Sequence, residues 1–111
     1  MGKHTEMITA AIVGMAAGLM IAGSAMAADM PDLAKKSGCT ACHSIDKKLV
    51  GPAWGEVGKK YAGDAKAEAM LIEKVAKGGK GTWGTMAMPA NSPKVSDADI
   101  KTLVQFVLSL K

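Results

Sequence analysis

The sequence predicts an all-α domain of three to four short helices joined by long loops. Three observations predict it. Apolar residues recur at three- and four-residue intervals over residues 65–77 and 100–110, the spacing of a helix with one buried face. No stretch alternates apolar and polar residues as a half-buried strand does. Glycine and proline gather between the periodic stretches, which leaves the connections long and irregular.

Residues 1–27 read as an export signal. Lys3 is followed by a run from Met7 to Ala28 without a charge, rich in Ala, Gly, Ile and Met, and Ala25-Met26-Ala27 forms the small-x-small site a signal peptidase accepts. Glu6 offsets Lys3, so the charged start is an imperfect match. The competing reading is a retained anchor, because the run is long enough to cross a bilayer as a helix. Gly14, Gly18 and Gly23 lower its hydrophobicity, and with the cleavage site they favour removal after Ala27. The expected mature domain is 28–111, exported to the periplasm. A domain that short needs a disulfide, a metal or a cofactor to complete its core.

Asp29-Met30-Pro31-Asp32 opens a short helix, with Pro31 near its first turn, and Lys35-Lys36 and then Gly38 close it. Residues 45–63 are interrupted by Gly51-Pro52, Gly55, Gly58 and Gly63, with room for a turn or two of helix over 56–61. A helix over 65–77 places Ala67, Met70, Leu71 and Val75 on one face and stops at Gly78-Gly79. Residues 78–95 have no credible period, and so long a loop in so small a domain is usually functional or disordered. Ser96 with Asp99 at N3 caps the last helix, which carries Ile100, Leu103, Val104, Val107 and Leu110 on its buried face.

The chain has 14 basic and 10 acidic residues, a net charge of +4 supplied by lysine alone. Lysines alternate with acids instead of forming a block, which argues against nucleic acid and leaves weak attraction to acidic protein surfaces.

The chemistry concentrates in Cys39-Thr40-Ala41-Cys42-His43. On a helical turn, residues three and four apart share one side, so two thiols and an imidazole converge. C-x-x-C-H is the attachment pattern of c-type haem, with thioethers at the cysteines and the imidazole on iron. A plain disulfide, a thioredoxin-like redox pair and half a zinc site are the alternatives. Zinc lacks further Cys or His ligands in 28–111, and the redox pair lacks its βαβ context.

Four methionines of the mature chain compete for the other face of the iron. Met30 is too near the attachment site, and Met70 belongs to a helix face where methionine fills core. Met86 and Met88 lie in the long loop, and Pro89 biases Met88 away from helix and stiffens the chain beside it. Met88 is the first candidate and Met86 the second.

Nearly the whole mature chain resembles the small bacterial class I cytochromes of the c-551/c-552 (c8) family, through CTACH, LVGPAW, KGGKGTWG, MPAN and VSDADIKTLVQFVLSL in that order. The resemblance implies a small cytochrome c fold wrapped around one covalent haem c, with Met88 as axial ligand opposite His43. It implies that Asn91 hydrogen-bonds the Met88 sulfur and that the Pro52 carbonyl accepts from the His43 ring. Trp83 matches a tryptophan donating to a haem propionate, and Lys74 a position where relatives carry arginine near the propionates. Ala87 replaces a common proline, Phe106 stands where an aromatic packs on the haem, and Ser92-Pro93-Lys94 lengthens the last connection.

With both axial positions filled, the expected activity is outer-sphere transfer of one electron and not catalysis. Lys47, Lys48, Lys59, Lys60, Lys77 and Lys80 are candidates for steering a monomeric carrier to a periplasmic reductase, a terminal oxidase or a quinol-oxidising complex. The rival functions are a haem enzyme or gas sensor with an open iron position, and a subunit held by an uncleaved N-terminal anchor.

Overall fold

The computed structural model describes residues 28–111, so the export-signal and anchor readings of residues 1–27 lie outside the described residues. Four α-helices follow in order: α1 Asp32–Lys36, α2 Trp54–Lys60, α3 Ala67–Lys77 and α4 Asp97–Leu108, with a 3-10 turn at Cys39–Ala41 between the first two. Among the described residues there is no strand; two isolated antiparallel bridges, His43 with Lys48 and Gly79 with Met88, are the only extended pairings. The all-α expectation holds.

The last helix is built as its sequence indicates. Ser96 caps it, its hydroxyl accepting from the Asp99 amide at 3.2 Å, and Asp97 and Asp99 complement the helix dipole in the first turn. Helix α4 is the axis of the fold, packing against α1, α2 and α3. On one side Leu103 and Val107 join Ala34, Trp54 and Val57; on the other Ile100 and Val104 join Val95, with Leu71, Ile72 and Val75 against them. Ile100 is fully buried, which contributes roughly 1.5–3 kcal/mol relative to an exposed side chain.

Two boundaries differ from expectation. Helix α2 starts two residues early, at Trp54, although Gly55 and Gly58 resemble breakers in the sequence. Both glycines are there for close approach. A Cβ on Gly58 would lie 2.6 Å from the Val107 carbonyl oxygen, and one on Gly55 3.0 Å from that of Ile45, so only glycine lets α2 lie this close to the end of α4. Helix α3 starts two residues late, at Ala67, because Asp64 turns the chain first: its carboxylate accepts from the Lys66 amide and its carbonyl from the Ala67 amide.

Phe106 packs edge-on against Trp54, ring centroids 5.9 Å apart, within the first core cluster. Val50, Met70, Trp83 and Met86 are large apolar side chains left exposed. They share one location.

Candidate functional site

Gly38, in the left-handed region at φ +82°, ends the α1 segment and turns the chain into Cys39. The Cys42 and His43 amides then both donate to the Cys39 carbonyl, at 3.1 and 2.9 Å. This winds the five residues into a compact turn with both cysteines free and partly exposed. Burial pushes the Cys39 thiol up, the Cys42 neighbour adding to the effect and a backbone hydrogen bond opposing it.

His43 is the one buried polar side chain among the described residues. Its Nδ1 lies 2.8 Å from the Pro52 carbonyl oxygen. A carbonyl only accepts, so Nδ1 carries a proton, which in the neutral ring leaves the lone pair on Nε2. Nε2 makes no hydrogen bond to the described residues. Residues 44–51 fold back to make this contact: the Gly51 amide donates to the Cys42 carbonyl at 2.8 Å, and the Leu49 amide to the Gly51 carbonyl at 3.1 Å. Gly51 runs directly against the imidazole, where a Cβ would stand 2.5 Å from Cε1. On its other side the ring meets Trp54 at a centroid distance of 5.7 Å.

The second loop is pinned at its two ends. Gly78, at φ +79°, ends α3 and lets the chain approach the 88–90 backbone, where a Cβ would fall 2.9 Å from the Ala90 nitrogen. Gly79 and Met88 then exchange two backbone hydrogen bonds, of 3.0 and 2.8 Å. Asn91 completes the attachment: its backbone amide and its Nδ2 both donate to the Val75 carbonyl at 3.1 Å, and Nδ2 also donates to the Pro89 carbonyl at 3.2 Å. These bonds satisfy a carbonyl left orphaned at the end of α3. Here both partners of the Asn91 side-chain amide are main-chain carbonyls; the bond to the Met88 sulfur that the resemblance implies remains an expectation.

The two loops and the helices enclose a cavity of about 160 Å³ and an adjoining one of about 90 Å³. Cys42, His43, Val75, Met88 and Pro89 line both. Pro52, Lys74 and Trp83 line the larger, and Cys39 and Asn91 the smaller. All eight candidate residues thus line one or both of two adjoining cavities. The exposed Val50, Met70, Trp83 and Met86 are walls of the larger cavity. An apolar cleft with two free thiols at its edge and an unpaired imidazole nitrogen facing it has the donor set and the walls that a covalently attached haem requires.

Some of this escaped the sequence. Met70 looked like core and is instead a cavity wall, 42% exposed. Phe106 lies behind Trp54 and is not among the residues lining either cavity. Gly51 and Gly78 place the two ligand candidates, and the only signal for either was a glycine beside a motif.

The family model described as "Cytochrome c" matches residues 20–111. The chain is 46% identical over 97 residues to cytochrome c-551 of Pseudomonas aeruginosa, covering 87% of this chain and 91% of the relative. To cytochrome c-552 of Hydrogenobacter thermophilus it is 42% identical over 106 residues, covering 96% and 98%. The crystal structure of Nitrosomonas europaea cytochrome c552 superposes with a TM-score of 0.69 at 46% identity, covering 72% of this chain and 98% of that one. No helix among the described residues is long and apolar enough to cross a membrane.

Proposed function

Because the chain belongs to the cytochrome c family, electron carriers with one covalently attached haem c, we propose that it is a soluble periplasmic one-electron carrier with His43 and Met88 as the axial ligands. It is not an enzyme. The single observation that supports the ligand assignment best is the shared lining of both cavities by His43 and Met88, each held by its own backbone anchor.

In this reading Cys39 and Cys42 hold the haem through thioethers, and His43 approaches through Nε2. The Pro52 carbonyl fixes the imidazole's tautomer and its rotation, which makes it a better and more rigid ligand. Gly79 fixes the Met88 backbone, so the thioether is aimed without being strongly bound. Trp83 and Lys74 stand on the cavity wall where propionates would be received. Bound there, the haem iron supplies a one-electron couple. The protein's part is to hold both ligands through the change of charge and to keep the iron closed to substrates.

Lysines around the cleft steer the carrier to acidic docking surfaces of redox proteins, a rate effect that weakens as salt is added. The periplasmic assignment rests on the export signal expected in residues 1–27.

The test is the absorption spectrum of the purified protein in both oxidation states, with N-terminal sequencing of the native chain. The reading requires a covalent c-type haem spectrum, the weak ferric band of methionine sulfur on iron, and a start at Ala28. Rapid stoichiometric carbon monoxide binding to the ferrous protein at neutral pH contradicts the Met88 assignment.

A further inference from the structure

We propose that Lys60 is a positioning residue that clasps the 78–95 loop across the mouth of the cavity and so slows the departure of Met88; this rests on Met88 being the axial ligand. The Lys60 ammonium lies 5.6 Å from the centroid of the Tyr61 ring and 5.9 Å from that of Trp83. Tyr61 and Trp83 both line the larger cavity. Lys60 is the last residue of α2, and Trp83 lies midway between the bridge residues Gly79 and Met88. One cation therefore faces two aromatic rings that belong to different elements and meet at the cavity's edge.

The rest of the loop gives this contact its weight. Among the described residues, the segment between Gly79 and Met88 makes one backbone hydrogen bond, Gly81 to Gly84 at 2.9 Å, and none to a helix. Its side chains join neither core cluster. Its ends are pinned and its middle is not, so a cation drawn to the face of the indole is the tie from the helical body to the tip. Tyr61 holds the ammonium on the near side. An arginine at position 60 would keep both attractions, and a glutamine would lose both.

The test uses the intact haem-loaded protein with Lys60→Gln, Lys60→Arg and Trp83→Leu, alone and combined, and two readouts. Cyanide added to the ferric protein reads how often Met88 leaves the iron. Amide hydrogen exchange over residues 81–87 reads the loop without reference to the iron. Lys60→Gln is expected to speed both about two- to fivefold, the change that ~0.5–1 kcal/mol of exposed cation–π attraction gives. Lys60→Arg should match the parent, Lys60→Gln should add nothing in the Trp83→Leu background, and exchange in α4 should not change. Unaltered exchange at 81–87 in Lys60→Gln, or full additivity with Trp83→Leu, overturns the clasp whatever ligates the iron. Faster exchange with unchanged cyanide binding overturns its effect on Met88. Immediate cyanide binding by the parent protein points to the axial assignment instead, leaving the exchange result to judge the loop contact.

Discussion

His43 donates its Nδ1–H to the carbonyl of Pro52 at 2.8 Å, and Gly51, the residue before that proline, lies so close to the imidazole that it has no room for a Cβ. The orientation of the buried ring is thus set by main chain, which no side-chain rotamer can relax. Gly51→Ala places a methyl 2.5 Å from Cε1. Either the ring turns, breaking its bond to Pro52, or the loop backs away; the expected loss is about 1–3 kcal/mol. Denaturant unfolding of the haem-loaded variant measures it, and a change in the ferric spectrum should accompany it. Parent-like stability would mean that the ring and loop are not tightly packed.

Met88→Ala should leave the covalent haem in place and open one iron position. The ferric methionine–sulfur band disappears and the ferrous protein takes up one carbon monoxide. Met86→Ala, by contrast, should retain the band, since Met86 is 69% exposed and has no backbone bridge of its own. A band that survives Met88→Ala and vanishes in Met86→Ala would reverse the assignment.

Asn91→Ala removes two hydrogen bonds to main-chain carbonyls, those of Val75 and Pro89. At about 1 kcal/mol each for bonds between neutral groups, the variant should be about 1–2 kcal/mol less stable. If these bonds to the loop's end are its main role, the methionine–sulfur band should persist. Loss of the band with unchanged stability would favour a direct contact with sulfur.

Replacing both cysteines, Cys39→Ala with Cys42→Ala, should yield a largely unfolded chain. The two clusters flanking α4 are small, and four large apolar side chains around the cavity are without cover. The check is thermal denaturation followed by circular dichroism; a cooperative transition near that of the haem-loaded parent would show that the helices sustain the fold alone.

Ser96→Ala tests the element most plainly written in the sequence. The lost cap should cost about 1 kcal/mol, seen as a lower denaturant midpoint with an unchanged slope.

What was legible in the sequence divides along a physical line. Local signals carried α1, α3, α4 and the Cys39–His43 turn, since a cap, an apolar stripe or a three-residue spacing acts within a few residues. Helix α2 was obscured because Gly55 and Gly58 weaken helix propensity locally while serving a close contact with residues far along the chain. The main-chain partners of Asn91 were not visible in the sequence for a similar reason. Its partners, Val75 and Pro89, are brought together only when the long loop closes on α3. The same holds for Phe106, whose ring faces Trp54, and for Lys60, whose second aromatic comes from the loop. The eight candidate site residues nevertheless all line the two cavities: the attachment spacing pointed to Cys39, Cys42 and His43, the loop with its proline to Met88, and the family resemblance to Pro52, Lys74, Trp83 and Asn91.

With Met88 as the proposed axial ligand, the bridge between Gly79 and Met88 would also govern competition at the iron. It closes the chain between them into a short ring, so a Met88 thioether released from iron would be kept nearer to it than one on an untethered loop. Its effective concentration there is on the order of millimolar or more. Against such a tethered competitor, dilute free ligands lose even when each binds iron better than a thioether does. Selectivity for electrons over small molecules then needs no strong bond, only a short leash.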